Sequence, residues 1–117
     1  MIKRKKISKK QIDDAIANRE FGPDVTGSNS RVAVVMTQSW CPQWSALQAW
    51  MSDCEPQSDL DCYELIYDKD GQFDEILDLK EKGWKNDQIP YIRYYKDGRL
   101  TGQSNYVSRE KFDSSFK

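Results

Sequence analysis

The chain has 117 residues, 38% of them hydrophobic and 32% charged, with a net charge of −1. That length suits one domain, residues 1–117, with one core, and no apolar run approaches the ~18 residues that a membrane span requires. Three cysteines without a Cys-x-x-Cys, and no histidine, argue against a disulfide scaffold or a clustered zinc site and exclude a histidine-based hydrolase.

The first ten residues, Met1 to Lys10, carry six of the basic side chains. No apolar segment follows them, so the pattern is not that of a secretory leader, and the expected compartment is the cytoplasm. Lysines on a short edge strand, about Ile2 to Ile7, discourage edge-to-edge pairing. No base-reading motif accompanies the basic arm, so nucleic acid is not an expected partner. Ser8 reads as an N-cap, and Ile12, Ala15 and Ile16 follow at helical spacing to about Arg19. Gly22-Pro23 ends that helix, and Asp24 to Ser30 reads as a polar loop.

Val32-Ala33-Val34-Val35-Met36 is an unbroken, mostly β-branched run, as expected for a strand buried on both faces. Thr37-Gln38-Ser39 is turn-prone. After Pro42 the apolar residues fall at Trp44, Leu47, Trp50, Met51 and Cys54, one face of a helix. Glu55 to Asp59 reads as a loop, Cys62 to Tyr67 as a strand, and Asp68-Lys69-Asp70-Gly71 as a turn. Phe73, Ile76, Leu77 and Leu79 mark another helix, stopping near Gly83. Two β-prone runs then flank Asp97-Gly98, a strong hairpin signal. Ser108 caps a last helix that ends near Phe116. The order β α β α β α β β α implies a mixed sheet with helices on both faces.

Cys41 stands where a buried strand turns into a helix. The first N–H groups of a helix lack partners and carry the positive end of its dipole. A thiolate at that end is stabilised, and the thiolate is the reactive form. Pro42 fits the first helical position, where its missing N–H costs nothing.

With Trp40-Cys41-Pro42-Gln43-Trp44 after the second strand and Ile89-Pro90 before the hairpin, the chain resembles the thioredoxin superfamily over nearly its whole length. Trp40 to Trp44 occupy the Trp-Cys-x-x-Cys position, and Lys96-Asp97-Gly98 is similar to the family's Lys-Asn-Gly turn. The resemblance implies a three-layer α/β thioredoxin-like fold, Cys41 as the catalytic thiol, and a cis Ile89-Pro90 bond beside it. It also implies a substrate groove formed by Trp40, Pro42, Gln43, Trp44, Ile89, Pro90 and Tyr91, with Tyr106 nearby. Trp44 reads equally as a groove residue or as packing over the gap left by a small one, and Trp84 as core or surface.

Three positions depart together from the family pattern. Trp44 stands at the resolving cysteine, Val35 at the buried acid and Glu64 at its lysine partner. The acid serves the missing thiol, so the pattern is that of a single-cysteine member. Cys-Pro-x is also similar to monothiol glutaredoxins, but Gln88-Ile89-Pro90 and Ser104-Asn105-Tyr106 lack that group's glutathione-site features. Cys54, 13 residues along the helix, is roughly 20 Å from Cys41 at ~1.5 Å per residue, far beyond disulfide reach. Cys54 and Cys62 read best as small buried hydrophobes.

The expected function is therefore monothiol thiol–disulfide exchange by Cys41 with a protein, peptide or small-molecule disulfide, an external thiol acting as resolver, without metal or cofactor. Two alternatives stand beside it: a redox-inactive module holding a peptide between Cys41 and Pro90, and a cysteine oxidation sensor.

Overall fold

The computed structural model describes residues 2–53, 60–69, 73–106 and 108–116. The side chains of Trp50 and Met51, expected in the core, lie outside the described residues, as do Cys54, the Glu55 to Asp59 loop and the Asp70-Gly71 half of a turn.

Strand β2 (Arg31–Thr37) is the centre of the sheet. Its apolar run is buried from Val32 to Thr37, which a strand covered on both faces requires. Strand β3 (Leu60–Ile66) lies parallel on one side, Val35 opposite Glu64. Strand β4 (Tyr91–Lys96) lies antiparallel on the other, Val35 opposite Ile92. Strand β1 (Ile2–Lys6) pairs parallel with β3, and β5 (Arg99–Ser104) pairs antiparallel with β4. The sheet order is β1-β3-β2-β4-β5.

The basic arm is thus an edge strand, and its charge is answered by β3. Arg4 donates to both carboxylate oxygens of Glu64 and, at 2.8 Å, to Gln48. Lys5 donates to Asp61 at 2.9 Å.

Helix α1 (Lys9–Asn18) begins with a capping box: Gln11 N donates to Ser8 Oγ at 3.2 Å and Ser8 N to Gln11 Oε1 at 2.8 Å. The Asp24 to Ser30 segment is not wholly loop. Pro23–Thr26 forms a short helix, α2, with Gly22 as N-cap, Pro23 at its start and Val25 fully buried. One helical turn is too short to show periodicity, and it buries only two side chains, Val25 and Thr26. Helix α3 spans Pro42–Asp53, α4 spans Phe73–Asp78 and runs on into a π-helical turn, Leu79–Gly83, and α5 spans Arg109–Ser114. The hairpin turns through Asp97 and Gly98 at φ 52° and 82°, the left-handed pair of a type I′ turn.

Alternation along the strands divides the core in two. Val32, Val34, Met36, Tyr63 and Leu65 pack under Ile12 and Ala15 of α1 and Ile76 of α4. Ala33, Val35, Cys62, Ile92 and Tyr94 pack under Trp44 and Leu47 of α3 and under Phe112 and Phe116. Helices cover both faces of a mixed sheet. Among the described residues no helix is long and apolar enough to cross a membrane.

Candidate functional site

Strand β2 delivers the chain to a tight turn above the sheet. Cys41 N donates to Gln38 O at 3.2 Å, and Ser45 N donates to Cys41 O at 3.3 Å, the first bond of α3. Cys41 is therefore the residue half in, half out of the helix, with Pro42 at its first position. Two further ties hold the turn. Ser39 donates from N and Oγ to the two carboxylate oxygens of Asp68, at 2.8 and 2.6 Å. Those bonds hold the Asp68 carboxyl below the usual carboxylate range. Trp40 Nε1 donates to Gln38 Oε1 at 2.7 Å, and Gln38 Nε2 donates to the Tyr67 hydroxyl at 3.3 Å.

The second wall is the segment before β4. The Ile89–Pro90 bond is cis. The Cys41 thiol donates to the Ile89 carbonyl at 3.8 Å, so the cysteine and the residue before the proline face each other directly. Pro90 is buried and Ile89 half-buried, packing against both halves of the core. Lys80, fully buried, donates to Asn86 O at 2.9 Å below this segment. Burial pushes its ammonium group down from the ordinary lysine value.

The expected groove residues separate into two groups. Trp40 is 66% exposed, and Pro42 and Gln43 also face solvent beside Cys41. Cys41 itself is only 3% exposed. Trp44 is not a groove residue: it is 2% exposed and lies in the core with Leu47, Val35 and Ile92. The reason is the helical face, since position 44 shares the inward stripe of Leu47.

Tyr91 is likewise not in the groove. It is fully buried on the opposite face of the sheet, its hydroxyl bonded to Gln103 and to Arg93. The residue after Pro90 points to the α1 and α4 side, and Ile92 to the side of Cys41. Trp84 is half-buried: its indole N–H donates to Arg19 O at 3.1 Å and the Arg93 guanidinium stacks on its ring at 3.9 Å.

No second thiol stands near Cys41 among the described residues. Cys62 is opposite Ala33, well back along β2 from the Thr37 end that leads to Cys41. Burial pushes the Cys62 thiol far up, so it stays protonated. Val35 is fully buried with no carboxylate to serve a resolving thiol, and Glu64 is engaged with Arg4. The described residues hold no group of three or more metal-ligating side chains.

Two arrangements were not visible in the sequence. One is the buried Arg93, bonded to Glu20, Tyr95 and Tyr91; its signal was Tyr91-x-Arg93-x-Tyr95 at strand spacing. The other is an amide pair, Asn86 with Asn105, beneath the Gln88 to Pro90 segment.

A five-stranded mixed sheet, parallel from β1 through β3 to β2 and antiparallel from β2 through β4 to β5, with a cysteine at the β2–α3 turn and a cis-proline before β4, has the architecture of the thioredoxin fold. Solved structures agree with that assignment. A single-substitution mutant of thioredoxin from Halobacterium salinarum superposes with a TM-score of 0.65 at 13% identity, covering 96% of this chain and 86% of that one. Thioredoxin f from spinach chloroplast, short form, gives 0.63 at 16% identity, with 97% and 89% covered. Trxlp from Edwardsiella tarda gives 0.60 at 16%, with 96% of each chain covered. No family model matches the sequence, and no curated protein matches it significantly.

Proposed function

We propose that the protein is a monothiol thiol–disulfide exchange protein acting through Cys41. The observation that supports this best is the Cys41 thiol at the start of α3, 3.8 Å from the Ile89 carbonyl beside the cis-proline. The Cys41 thiolate attacks one sulfur of a partner disulfide, R–S–S–R′. A new sulfur–sulfur bond forms to R, and the R′ thiolate leaves and takes a proton from water. With Trp44 in the core and Cys62 remote, an external thiolate then attacks the R sulfur. Cys41 is released as thiolate and R carries the new disulfide. The thiolate is the reacting form of the sulfur at both stages. The partner is an extended segment of a protein or peptide lying between Trp40 and Pro90, and the reaction needs no metal or cofactor. The proposed setting is the cytoplasm.

One observation favours a second reading. Cys41 is 3% exposed beside an exposed Trp40, as suits a module that holds a peptide without exchanging disulfides. A single experiment separates the two. The folded protein is mixed with 2,2′-dithiodipyridine, and the adduct is located by peptide mass spectrometry. Exchange chemistry gives a stable adduct at Cys41 that excess glutathione removes, and none in Cys41→Ser. An adduct at Cys41 that forms only after denaturation would replace exchange with the binding reading.

A further inference from the structure

The thiol at Cys41 meets a carbonyl, and that carbonyl belongs to a short segment whose other main-chain groups are held by two asparagines. Asn86 Oδ1 accepts the Gln88 N–H at 3.0 Å. Asn105 Nδ2, at the end of β5, donates to Pro90 O at 3.1 Å. The two side chains also bond to each other in both directions. Asn86 Nδ2 donates to Asn105 Oδ1 at 3.1 Å, and Asn105 Nδ2 to Asn86 Oδ1 at 2.9 Å.

The orientation of each amide follows from the backbone. A main-chain N–H can only donate, so Asn86 presents its oxygen to Gln88. A main-chain carbonyl can only accept, so Asn105 presents its nitrogen to Pro90. Residue 86 is itself tied twice to the buried Lys80, through Asn86 N to Lys80 O at 3.1 Å and Lys80 Nζ to Asn86 O at 2.9 Å. The segment is gripped on both sides of Ile89, and the Ile89 carbonyl is the acceptor that meets the Cys41 thiol.

We infer that Asn105, braced by Asn86, is a positioning residue that sets the Ile89 carbonyl against Cys41 and so governs how freely the thiol reacts. The inference rests on the exchange reading only for its purpose; the geometry stands without it. An S–H···O bond to a carbonyl favours the neutral thiol. Loosening the carbonyl frees Cys41.

The two asparagines predict different outcomes for the same change. In Asn105→Asp the donor to Pro90 O and to Asn86 Oδ1 is lost, and an oxygen faces both acceptors. In Asn86→Asp the oxygen that accepts from Gln88 and Asn105 is kept, and the bond lost is the one from Asn86 Nδ2 to Asn105 Oδ1, which leaves the Asn105 donor on Pro90 O in place. Both variants add one negative charge at nearly the same place, so each controls for the other.

The test is iodoacetamide alkylation of Cys41 against pH, read by peptide mass spectrometry, with a thermal melt of each protein. Asn105→Asp should alkylate about fivefold faster than the unaltered chain near neutral pH, the ordinary worth of one neutral hydrogen bond. Asn86→Asp should follow the unaltered profile. Equal profiles for all three proteins, or equal displacement of both variants, overturn the inference. So does an unaltered chain whose Gln88 amide proton exchanges as fast as an unprotected peptide N–H, a measurement that needs no variant to fold. Failure of the exchange reading is distinct: it is the absence of a Cys41 mixed disulfide, and the alkylation comparison still decides the role of Asn105.

Discussion

The two faces of the sheet are closed by different chemistry. Toward α3 and α5, with one ion pair, Glu64 with Arg4, at the β1 edge, the described side chains are apolar over Ala33, Val35, Trp44, Leu47 and Ile92. The Tyr94 hydroxyl there is paired with Ser104 at 2.8 Å, and its phenol is pushed up to about 12 by burial. Toward α1 and α4 the sheet carries charges: Arg93 bonded to Glu20, and Asp61 bonded to Ser28 and Lys5, with Lys80 buried at the start of the π-helical turn. Stability on the first face is, away from that edge, a matter of volume. On the second it is a matter of giving every charge a hydrogen-bond partner. Cys41 lies at the mouth of the first face.

The largest effect is expected where volume decides. Trp44→Ala empties the dry face of an indole, and Trp-to-Ala changes in cores cost ~3–5 kcal/mol. Guanidinium unfolding of the variant should show that loss, and a loss below ~1 kcal/mol would mean the face collapses around the gap. Trp44→Cys removes nearly the same volume. A second thiol at this position therefore comes with a weakened core, and exchange rates for that variant are meaningful only below its own melting temperature.

A smaller effect is expected where pairing decides. Glu20→Ala leaves the Arg93 guanidinium, 5% exposed, with the Tyr95 and Tyr91 hydroxyls at 2.8 and 3.0 Å and the Trp84 ring at 3.9 Å, and no carboxylate. Breaking a buried ion pair from one side costs ~3–5 kcal/mol, but the Glu20 side chain is 39% exposed and partly screened, which brings the figure to about 2 kcal/mol. Replacing both partners, Glu20→Ala with Arg93→Leu, should recover part of the loss, since apolar groups of similar volume serve as well. A double variant weaker than the single one would show that the tyrosine hydroxyls, not the charge, set the cost.

The sequence carried most of the frame. Val32 to Met36, Asp97-Gly98, the Ser8 and Ser108 caps and Ile89-Pro90 each have a local physical signature, and each stands where that signature put it. What it did not carry is phase and long-range pairing. Strand β4 is buried on both faces, so no alternation of polarity told which face Tyr91 would take, and it took the far one. Trp44 reads equally as core, through its spacing from Leu47, and as a groove residue, because the same position lies next to the cysteine. The partners Asn86 with Asn105 and Glu20 with Arg93 come from segments joined only by the fold, and nothing local marks either pair.

The smallest effect separates the two faces by pH. Asp61 is nearly fully buried on β3 and accepts from Ser28 Oγ at 2.7 Å and Lys5 Nζ at 2.9 Å. Burial alone would raise its carboxyl; the bonds from Ser28, Lys5 and Asn29 outweigh that and hold it below its ordinary value. The folded state then binds this proton less tightly than the unfolded chain does. Its stabilisation is complete above the unfolded value of ~3.9 and is lost as pH falls through the lower, folded one. Asp61→Asn keeps an oxygen for Ser28 but gives up the charge facing Lys5. Melting temperatures of the two proteins should differ modestly at neutral pH and converge as the solution is acidified below about pH 4. Cys62→Ala serves as the reference from the dry face. Its thiol is neutral throughout that range, so its melting curve should run parallel to that of the unaltered chain at every acid pH. Parallel curves for Asp61→Asn as well would remove Asp61 from the acid limb and leave the two faces alike in their response to protons.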